Sequence, residues 1–289
     1  FYTASGHDQR VCNNAGFHQL LKSGILWAVG DKARKRYDNF LASRAPLKYE
    51  KRGNIPNYER RPKPLEYQFP LPPAESMKYT QVPVGFRMEL FASEPNVINP
   101  IYMTWDERGR LWVVESVDYP NAFKAGRKGN DRIKACEDTN GDGQFDKSTV
   151  FAKDISWPTS VCCYKGGVFV IAPPHIYYLK DTDGDNKADV REIVYSGFSR
   201  SNVQGLANNL KWGLDNRIHG TASGTPGKVR VVGKPELGTV SFVRSDFSFD
   251  PRTLEFRLEN GGAQHGMDFD SAGRKFVCSN SHHIQQVMY

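Results

Sequence analysis

The 289-residue sequence predicts an all-β fold, a partial β-propeller of about four blades, preceded by a strand-helix remnant of an α/β domain. Three observations predict it. Two acidic loops, Asp138-Thr139-Asn140-Gly141-Asp142 and Asp181-Thr182-Asp183-Gly184-Asp185, lie 43 residues apart between matching strand-like runs. A hairpin-like element recurs with turn residues Gly109, Gly167, Asn216 and Gly273, which are 58, 49 and 57 residues apart. A basic, proline-containing stretch separates this repeat from the first 30 residues. Four-stranded units repeating at about 40 to 50 residues are the signature of a propeller, with loop insertions accounting for the longer spacings.

Residues 1–30 read as the end of an α/β domain. Phe1-Tyr2-Thr3 is strand-like, Ser5-Gly6-His7-Asp8 is a turn with His7 in a structural role, and Phe17, Leu20, Leu21, Gly24, Leu26, Trp27 and Ala28 form an amphipathic helix ending near Gly30. Residues 31–82 read as a linker. From Asp31 to Glu66 there are eleven Lys or Arg against five Asp or Glu, so this segment carries almost all of the net charge of +7. Its prolines Pro46, Pro56, Pro62 and Pro64 and its lack of apolar periodicity suit a chain lying on a surface. No aromatic-basic interleaving accompanies the charge, so nucleic acid is not an expected partner. The sequence has neither an apolar run long enough to span a membrane nor a signal peptide. It begins without Met and stops inside the fourth unit, so a piece of a longer protein is expected.

Residues 83–289 read as the incomplete propeller. Phe86, Met88 and Leu90 alternate with Arg87 and Glu89 as an extra strand ahead of it. Tyr102–Trp105 returns as Leu111–Glu115, Val161–Tyr164 as Val168–Ile171, and Met267–Phe269 as Lys275–Cys278, while Leu210-Lys211-Trp212 precedes the third turn. Cys12, Cys136, Cys162, Cys163 and Cys278 are odd in number and lack a CxxC spacing. They read as small buried hydrophobes, and the adjacent pair Cys162-Cys163 points to opposite faces of its strand.

The acidic loops offer oxygen at alternate positions of a tight turn, as a hard cation such as Ca²⁺ requires. The second loop places Asp181, Asp183 and Asp185 at positions 1, 3 and 5, the Lys187 carbonyl at 7, Asp189 at 9 and Glu192 at 12, with Asn186 where glycine is usual at 6. The first places Asp138, Asn140, Asp142, the Gln144 carbonyl and Asp146 likewise, but Thr149 replaces the closing glutamate, so weaker binding is expected. The competing reading is that Asp, Asn and Gly are ordinary turn residues. In a propeller these loops join strands 3 and 4 of a blade and fall away from the ligand-binding mouth. They are then structural calcium clips. The mouth instead collects Glu115, Asp118, Tyr119, His175, Asn280, His282 and His283 after the second strands, and Arg200, Asn202, Gln204, Gln264 and His265 between blades.

Phe1 to Gly30, with Gly24-Ile25-Leu26-Trp27-Ala28 at its end, resembles the C-terminal edge of a trehalose-utilisation (ThuA-like) domain. From Val84 onward, Leu111-Trp112-Val113-Val114-Glu115, Asp118-Tyr119-Pro120, the acidic loops, Asn202-Val203-Gln204-Gly205-Leu206 and Gly266-Met267-Asp268-Phe269-Asp270 resemble the membrane-bound dehydrogenase domain of planctomycete and verrucomicrobial proteins. That domain is a propeller related to the soluble pyrroloquinoline-quinone (PQQ) glucose and sorbosone dehydrogenases. The resemblance implies a periplasmic or exported sugar or alcohol dehydrogenase, membrane-associated through segments outside this stretch, that passes electrons to a cytochrome-type acceptor. It implies cofactor contacts at Arg200, Asn202 and Gln204, although Ser201 interrupts the family's Arg-Asn pair. Oxidation of a hydroxyl needs a base and a cation for the developing oxyanion. His265 is the candidate base, in Gln264-His265-Gly266 rather than the family's His-Gly-Gly, and Glu115, Asp118, Tyr119 and Asn280 are candidate substrate contacts. A non-catalytic, calcium-stabilised propeller that binds carbohydrate or a protein partner is the alternative of a different class.

Overall fold

The computed structural model describes residues 8–51, 66–83, 85–119, 128–222 and 224–288. The strand expected at Phe1 to Thr3 and His7 lie outside the described residues. The chain divides into two units, Phe1–Leu90 and Phe91–Tyr289.

The first unit holds helices α1 (Gln9–Cys12) and α2 (Ala15–Ala42), a strand pair β1 (Tyr49–Lys51) and β2 (Glu66–Gln68), and helix α3 (Pro73–Met77). Asn14 caps α2, its Oδ1 accepting the N–H of Gly16 at 2.8 Å and of Phe17 at 3.2 Å. The helix breaks at Gly30, where φ is 76° and ψ 169°, but it resumes and runs to Ala42. Lys32, Arg34, Lys35 and Arg36 are good helix formers and the first proline comes only at Pro46, so the stretch read as irregular linker begins as helix. The amphipathic face is found only in part. Phe17, Leu21 and Leu26 are half-buried and Gly24 is buried, but Leu20, Trp27 and Ala28 are exposed. Phe86, Met88 and Leu90 are exposed and lie outside every strand among the described residues.

The second unit is a succession of antiparallel sheets. Sheet 1 runs β3 (Pro100–Trp105), β4 (Leu111–Glu115), β5 (Asp131–Glu137), β6 (Lys147–Ile155) in spatial order. Sheet 2 runs β7 (Ser160–Tyr164), β8 (Gly167–Ala172), β9 (His175–Lys180), β10 (Val190–Phe198). In sheet 3, β11 (Asn208–Trp212) and β12 (Ile218–Thr221) are followed by a hairpin, β13 (Gly227–Val231) and β14 (Thr239–Phe242), that leaves the sheet and pairs with β10. The chain then returns as β15 (Asp246–Phe249) and β16 (Phe256–Glu259), completing four strands. Sheet 4 holds β17 (Gly266–Phe269), β18 (Lys275–Cys278) and β19 (Gln285–Gln286). Every hairpin read from the sequence is present, and both acidic loops are hairpin connections, β5 to β6 and β9 to β10.

In sheets 1 and 4 the turn between first and second strands is built by one device. Asp106 Oδ1 accepts the N–H groups of Arg108 and Arg110, both at 2.9 Å, while its Oδ2 takes Arg110 Nε at 2.7 Å. Asp270 repeats this with Ala272 and Arg274. The glycine between, at φ 75° for Gly109 and 77° for Gly273, lets the backbone turn back. This is why Gly109 and Gly273 mark the repeat.

Sheets stack face to face. Between sheets 1 and 2 lie Trp112, Val114, Ile133, Phe151 and Ile155 against Val161, Val168, Val170 and Leu179. Between sheets 2 and 3, Phe169, Ile171, Tyr195 and Phe198 meet Leu210, Ile218, Phe247 and Phe249, with the Phe169 and Phe249 rings edge-on at 5.1 Å. Burying each such side chain contributes about 1.5–3 kcal/mol. Cys162 belongs to the second of these cores and Cys136 to a smaller cluster with Val97, Leu111 and Val113; Cys163 and Cys278 are half-buried, Cys12 is exposed, and none of the five is in a disulfide.

A buried ion pair joins sheets 3 and 4. Lys275 Nζ lies 2.7 Å from Asp246 Oδ2 and donates to the Asn260 carbonyl at 2.8 Å, with both side chains out of water. Removing one partner strands the other charge, so Asp246→Ala should destabilise the fold by about 3–5 kcal/mol. Urea unfolding should show this, with Lys275→Met costing a similar amount; a loss under about 1 kcal/mol, typical of an exposed pair, would contradict the assignment.

Candidate functional site

The first strands of consecutive sheets lie side by side, β3 by β7, β7 by β11 and β11 by β17. At one end of this row are the acidic loops and the first-to-second-strand turns, joined where Arg110 Nη1 donates to Asn186 Oδ1 at 3.1 Å. Asn186 takes φ 63°, so it fills the left-handed position where glycine was expected while supplying this contact.

At the other end the sheet-to-sheet connections border a cleft of about 560 Å³, lined by Asn99, Tyr102, Ser116, Tyr119, Trp157, Thr159, Gln204, Asn208, Asn209 and His265 among others. Three of these hold positive φ: Asn99 at 44°, Trp157 at 52° and Asn209 at 55°. Such conformations are uncommon outside glycine and outlying for a bulky ring, so the surroundings must impose them. For Trp157 the cause is visible. The buried Asp131 carboxylate accepts the N–H groups of Val117 at 2.7 Å, Asp118 at 2.9 Å and Trp157 at 2.9 Å, pinning two connections to one point. Burial raises the Asp131 pKa against the lowering effect of those three donors.

Asn208 and Asn209 build the opposite wall. Asn208 Nδ2 donates to the Leu206 and Gln264 carbonyls at 2.7 and 2.9 Å, and its Oδ1 accepts Thr221 Oγ1 at 2.8 Å. Asn209, 8% exposed, spends Nδ2 on Asn208 Oδ1 and on the His265 carbonyl. Beside them Gly205 meets Gly224 back to back, since a Cβ on Gly205 would lie 3.0 Å from the Gly224 Cα. That contact explains the glycine of Gln204-Gly205-Leu206.

Of the residues picked from sequence, Tyr119, Gln204 and His265 line the cleft. Asn280 stands beside His265, its Oδ1 2.9 Å from Nε2. Asn202 is a local cap, accepting the Gln204 N–H at 3.0 Å. Asp118 closes its own loop by binding the Asn130 backbone and side-chain amides at 2.7 and 2.8 Å. Glu115 does not reach the cleft surface. It is 0% exposed, paired with Arg132 and Lys134 at 3.0 Å each and accepting the Ile98 N–H at 2.8 Å, so it anchors the incoming chain instead. Arg200 is not in the cleft lining; it is grouped with His175 and Tyr177, and partial burial lowers its pKa. His282 and His283 are exposed. Asn208, Asn209, Trp157 and Tyr102 were missed, the only signal being adjacent carboxamides at the start of a strand.

The acidic loops differ. In the second, carboxylate oxygens of Asp181, Asp183 and Asp189 lie within 4.8 Å of one another, a possible exposed metal-holding group. Asp185 is taken by Lys187 Nζ at 2.9 Å, and neither it nor Glu192 belongs to the group. In the first, Asp146 is occupied at both oxygens, by Thr139 N and Oγ1 at 2.7 and 2.6 Å and by Asn140 Nδ2 at 2.9 Å. Among the described residues, the carboxylates Asp138, Asp142 and Asp146 do not gather into such a group. The second loop closes in the same way, Asp189 Oδ2 accepting Thr182 N and Oγ1 at 2.8 and 2.9 Å, so the Asn140 contact to Asp146 is what sets the first apart.

Residues 72–289 match the family model described as a domain of unknown function, DUF7133. The chain belongs to this family. The DUF7133 chain has no match among curated proteins. Solved structures similar to it include the PQQ domain of pyranose dehydrogenase from Coprinopsis cinerea, at 14% identity and a TM-score of 0.43 over 62% of this chain and 43% of that one. A calcium structure of a Trichoderma reesei carbohydrate-active enzyme of family AA12 aligns at 12% identity and 0.44 over 65% and 46%. The periplasmic gluconolactonase of Pseudomonas aeruginosa aligns at 16% and 0.35 over 66% and 56%. The chain thus spans less than half the length of the first two. Among the described residues no helix is long and apolar enough to cross a membrane.

His175 gives the region a pH signature. Burial, and then the charge of Arg200, lower its pKa, and its buried Nδ1 has no hydrogen-bond partner among the described residues. A depressed histidine contributes stability that is complete above the ordinary value of about 6.5 and is lost as pH falls through the lower folded value. Thermal unfolding followed from neutral pH downward should therefore show a loss of stability below about pH 6.5 that His175→Asn reduces. An unchanged slope in the variant would contradict this.

Proposed function

We propose that the DUF7133 unit is part of a β-propeller whose cleft binds a neutral carbohydrate. Four-stranded antiparallel sheets stacked face to face with their first strands side by side support the architecture. The observation that carries the function is the chemistry of the lining. Carboxamides and hydroxyls of Asn99, Ser116, Thr159, Gln204 and Asn209 alternate with the rings of Tyr102, Tyr119, Trp157 and His265. Among the described lining residues there is no Lys, Arg, Asp or Glu. A sugar offers hydroxyls that both donate and accept along with an apolar C–H face, and this lining complements both. Asn209, with both Nδ2 hydrogens used by the protein, has Oδ1 left to accept a ligand hydroxyl.

A sugar or alcohol dehydrogenase is a second reading, favoured by His265 at the cleft as a proton acceptor and requiring a cytochrome-type partner. The quinone implied by the resemblance does not fit the described residues. Its carboxylates call for cations, and Arg200, the side chain expected to meet them, is not among the lining residues.

Calcium is proposed for the Asp181, Asp183 and Asp189 group in a structural role at the far end from the cleft. Hydrogen bonds from Gly184 and Thr182 lower the Asp181 and Asp189 pKa values, which favours the charged ligands a cation needs.

Titration of neutral and acidic oligosaccharides into the protein, read by calorimetry, should give binding of a neutral sugar that Asn209→Ala weakens about tenfold, the value of one hydrogen bond of about 1–1.5 kcal/mol. Binding of acidic sugars alone, or an unchanged affinity in the variant, would count against the cleft. Calcium at about 100 times its Kd should stabilise the fold by about 2.7 kcal/mol. Asp183→Asn should abolish that gain and Asp142→Asn should leave it intact; the reverse pattern would sink the loop assignment.

A further inference from the structure

We infer that Asn280 fixes the tautomer of His265, so that Nδ1 is the basic nitrogen the cleft can use. The significance of this assignment rests on the carbohydrate reading above; the assignment itself rests on hydrogen bonding alone.

His265 Nε2 and Asn280 Oδ1 are 2.9 Å apart. A carboxamide oxygen can only accept, so the ring nitrogen facing it carries the proton and the neutral ring keeps its lone pair on Nδ1. The sheet register brings the two residues together. Gly266 at the start of β17 pairs with Cys278 at the end of β18, so the residues just outside the ladder, His265 and Asn280, meet at the same end of sheet 4. Their backbones are framed as well. The N–H groups of Gln264 and His265 both donate to the Cys278 carbonyl, at 3.0 and 3.4 Å. The Asn280 N–H reaches Gln264 Oε1 at 3.5 Å. From the neighbouring sheet, Asn208 Nδ2 holds the Gln264 carbonyl at 2.9 Å and Asn209 Nδ2 the His265 carbonyl at 3.0 Å.

This arrangement alters the role read for Asn280 from sequence. Its oxygen is spent on the imidazole, so it is a positioning residue rather than a substrate contact. The same bond decides which histidine nitrogen meets a ligand. With Nε2–H directed to Asn280, a sugar hydroxyl donating to the ring must do so at Nδ1. Orientation of a histidine by a carbonyl-type oxygen on its other ring nitrogen is a general way of fixing its basic atom.

The test is a long-range ¹H–¹⁵N spectrum of the histidine side chains in the ligand-free protein, recorded well above the ordinary imidazole range and assigned by loss of signals in His265→Asn. The expected result is a single Nε2–H tautomer in the wild type, a mixture in Asn280→Ala, and a restored Nε2–H form in Asn280→Asp, whose carboxylate also only accepts. Backbone amide spectra establish that each variant is folded. An Nδ1–H tautomer in the wild type, or an unchanged tautomer in folded Asn280→Ala, overturns the inference. The spectrum needs no ligand, so the two readings fail separately: Nδ1–H with sugar binding retained overturns this inference alone, and Nε2–H with no sugar bound overturns the cleft reading alone.

Discussion

The first strands of consecutive sheets lie side by side without sharing a ladder, and this constraint shapes the rest of the second unit. Strands in one sheet satisfy each other's backbone; strands in adjacent sheets must be joined by side chains reaching backbone groups. The seam is made in that way. Tyr102 Oη donates to the Leu210 carbonyl at 2.9 Å, Ser160 Oγ accepts the Leu210 N–H at 3.0 Å, and Trp212 Nε1 donates to the Cys163 carbonyl at 3.1 Å. Thr159 holds the Ala207 carbonyl, and the asparagine pair holds 264 and 265. Burial of the Tyr102 phenol, its largest influence, raises its pKa and keeps it a donor.

The cleft follows from the same constraint. Where the side-chain seam reaches the sheet-to-sheet connections, the polar groups that join the sheets also line the opening. Asn209 shows the overlap most plainly, because its amide nitrogen belongs to the seam while its carbonyl oxygen is left for the cleft. The strained backbone at Asn99, Trp157 and Asn209 gathers at this same rim. On the proposed carbohydrate reading, structure and binding surface are one set of residues, so stability and ligand affinity should respond together to changes at Asn208 and separately at Gln204, an exposed residue with only its backbone in the capping turn.

Much of the fold was legible because the repeat is local. The Asp-to-Gly turns at Asp106 and Asp270 lie within five residues of chain, and both acidic hairpins announce themselves by composition. The β13–β14 hairpin was not legible, since it leaves sheet 3 to pair with a strand that precedes β11. Neither was the fate of Glu115, whose partners Arg132 and Lys134 are brought to it by the β4–β5 register rather than by proximity in sequence. The cleft was half legible. His265, Gln204 and Tyr119 follow from which connections face the mouth, whereas Asn208 and Asn209 lie in a strand that the sequence offers as an ordinary element of the repeat. Their carboxamides become informative only when 264 and 265 are placed beside them in space. Helix α2 outruns the expected end near Gly30 because the charged residues of 32–36, which resemble linker composition, are also good helix formers.

A crystal structure of the protein with the tightest-binding neutral sugar from a broad panel tests the central claim most directly. The account predicts the sugar in the cleft, with a hydroxyl on Asn209 Oδ1, another at His265 Nδ1 and a C–H face against Trp157 or Tyr119. A sugar bound elsewhere on the sheets, or no neutral sugar bound at all, would contradict it.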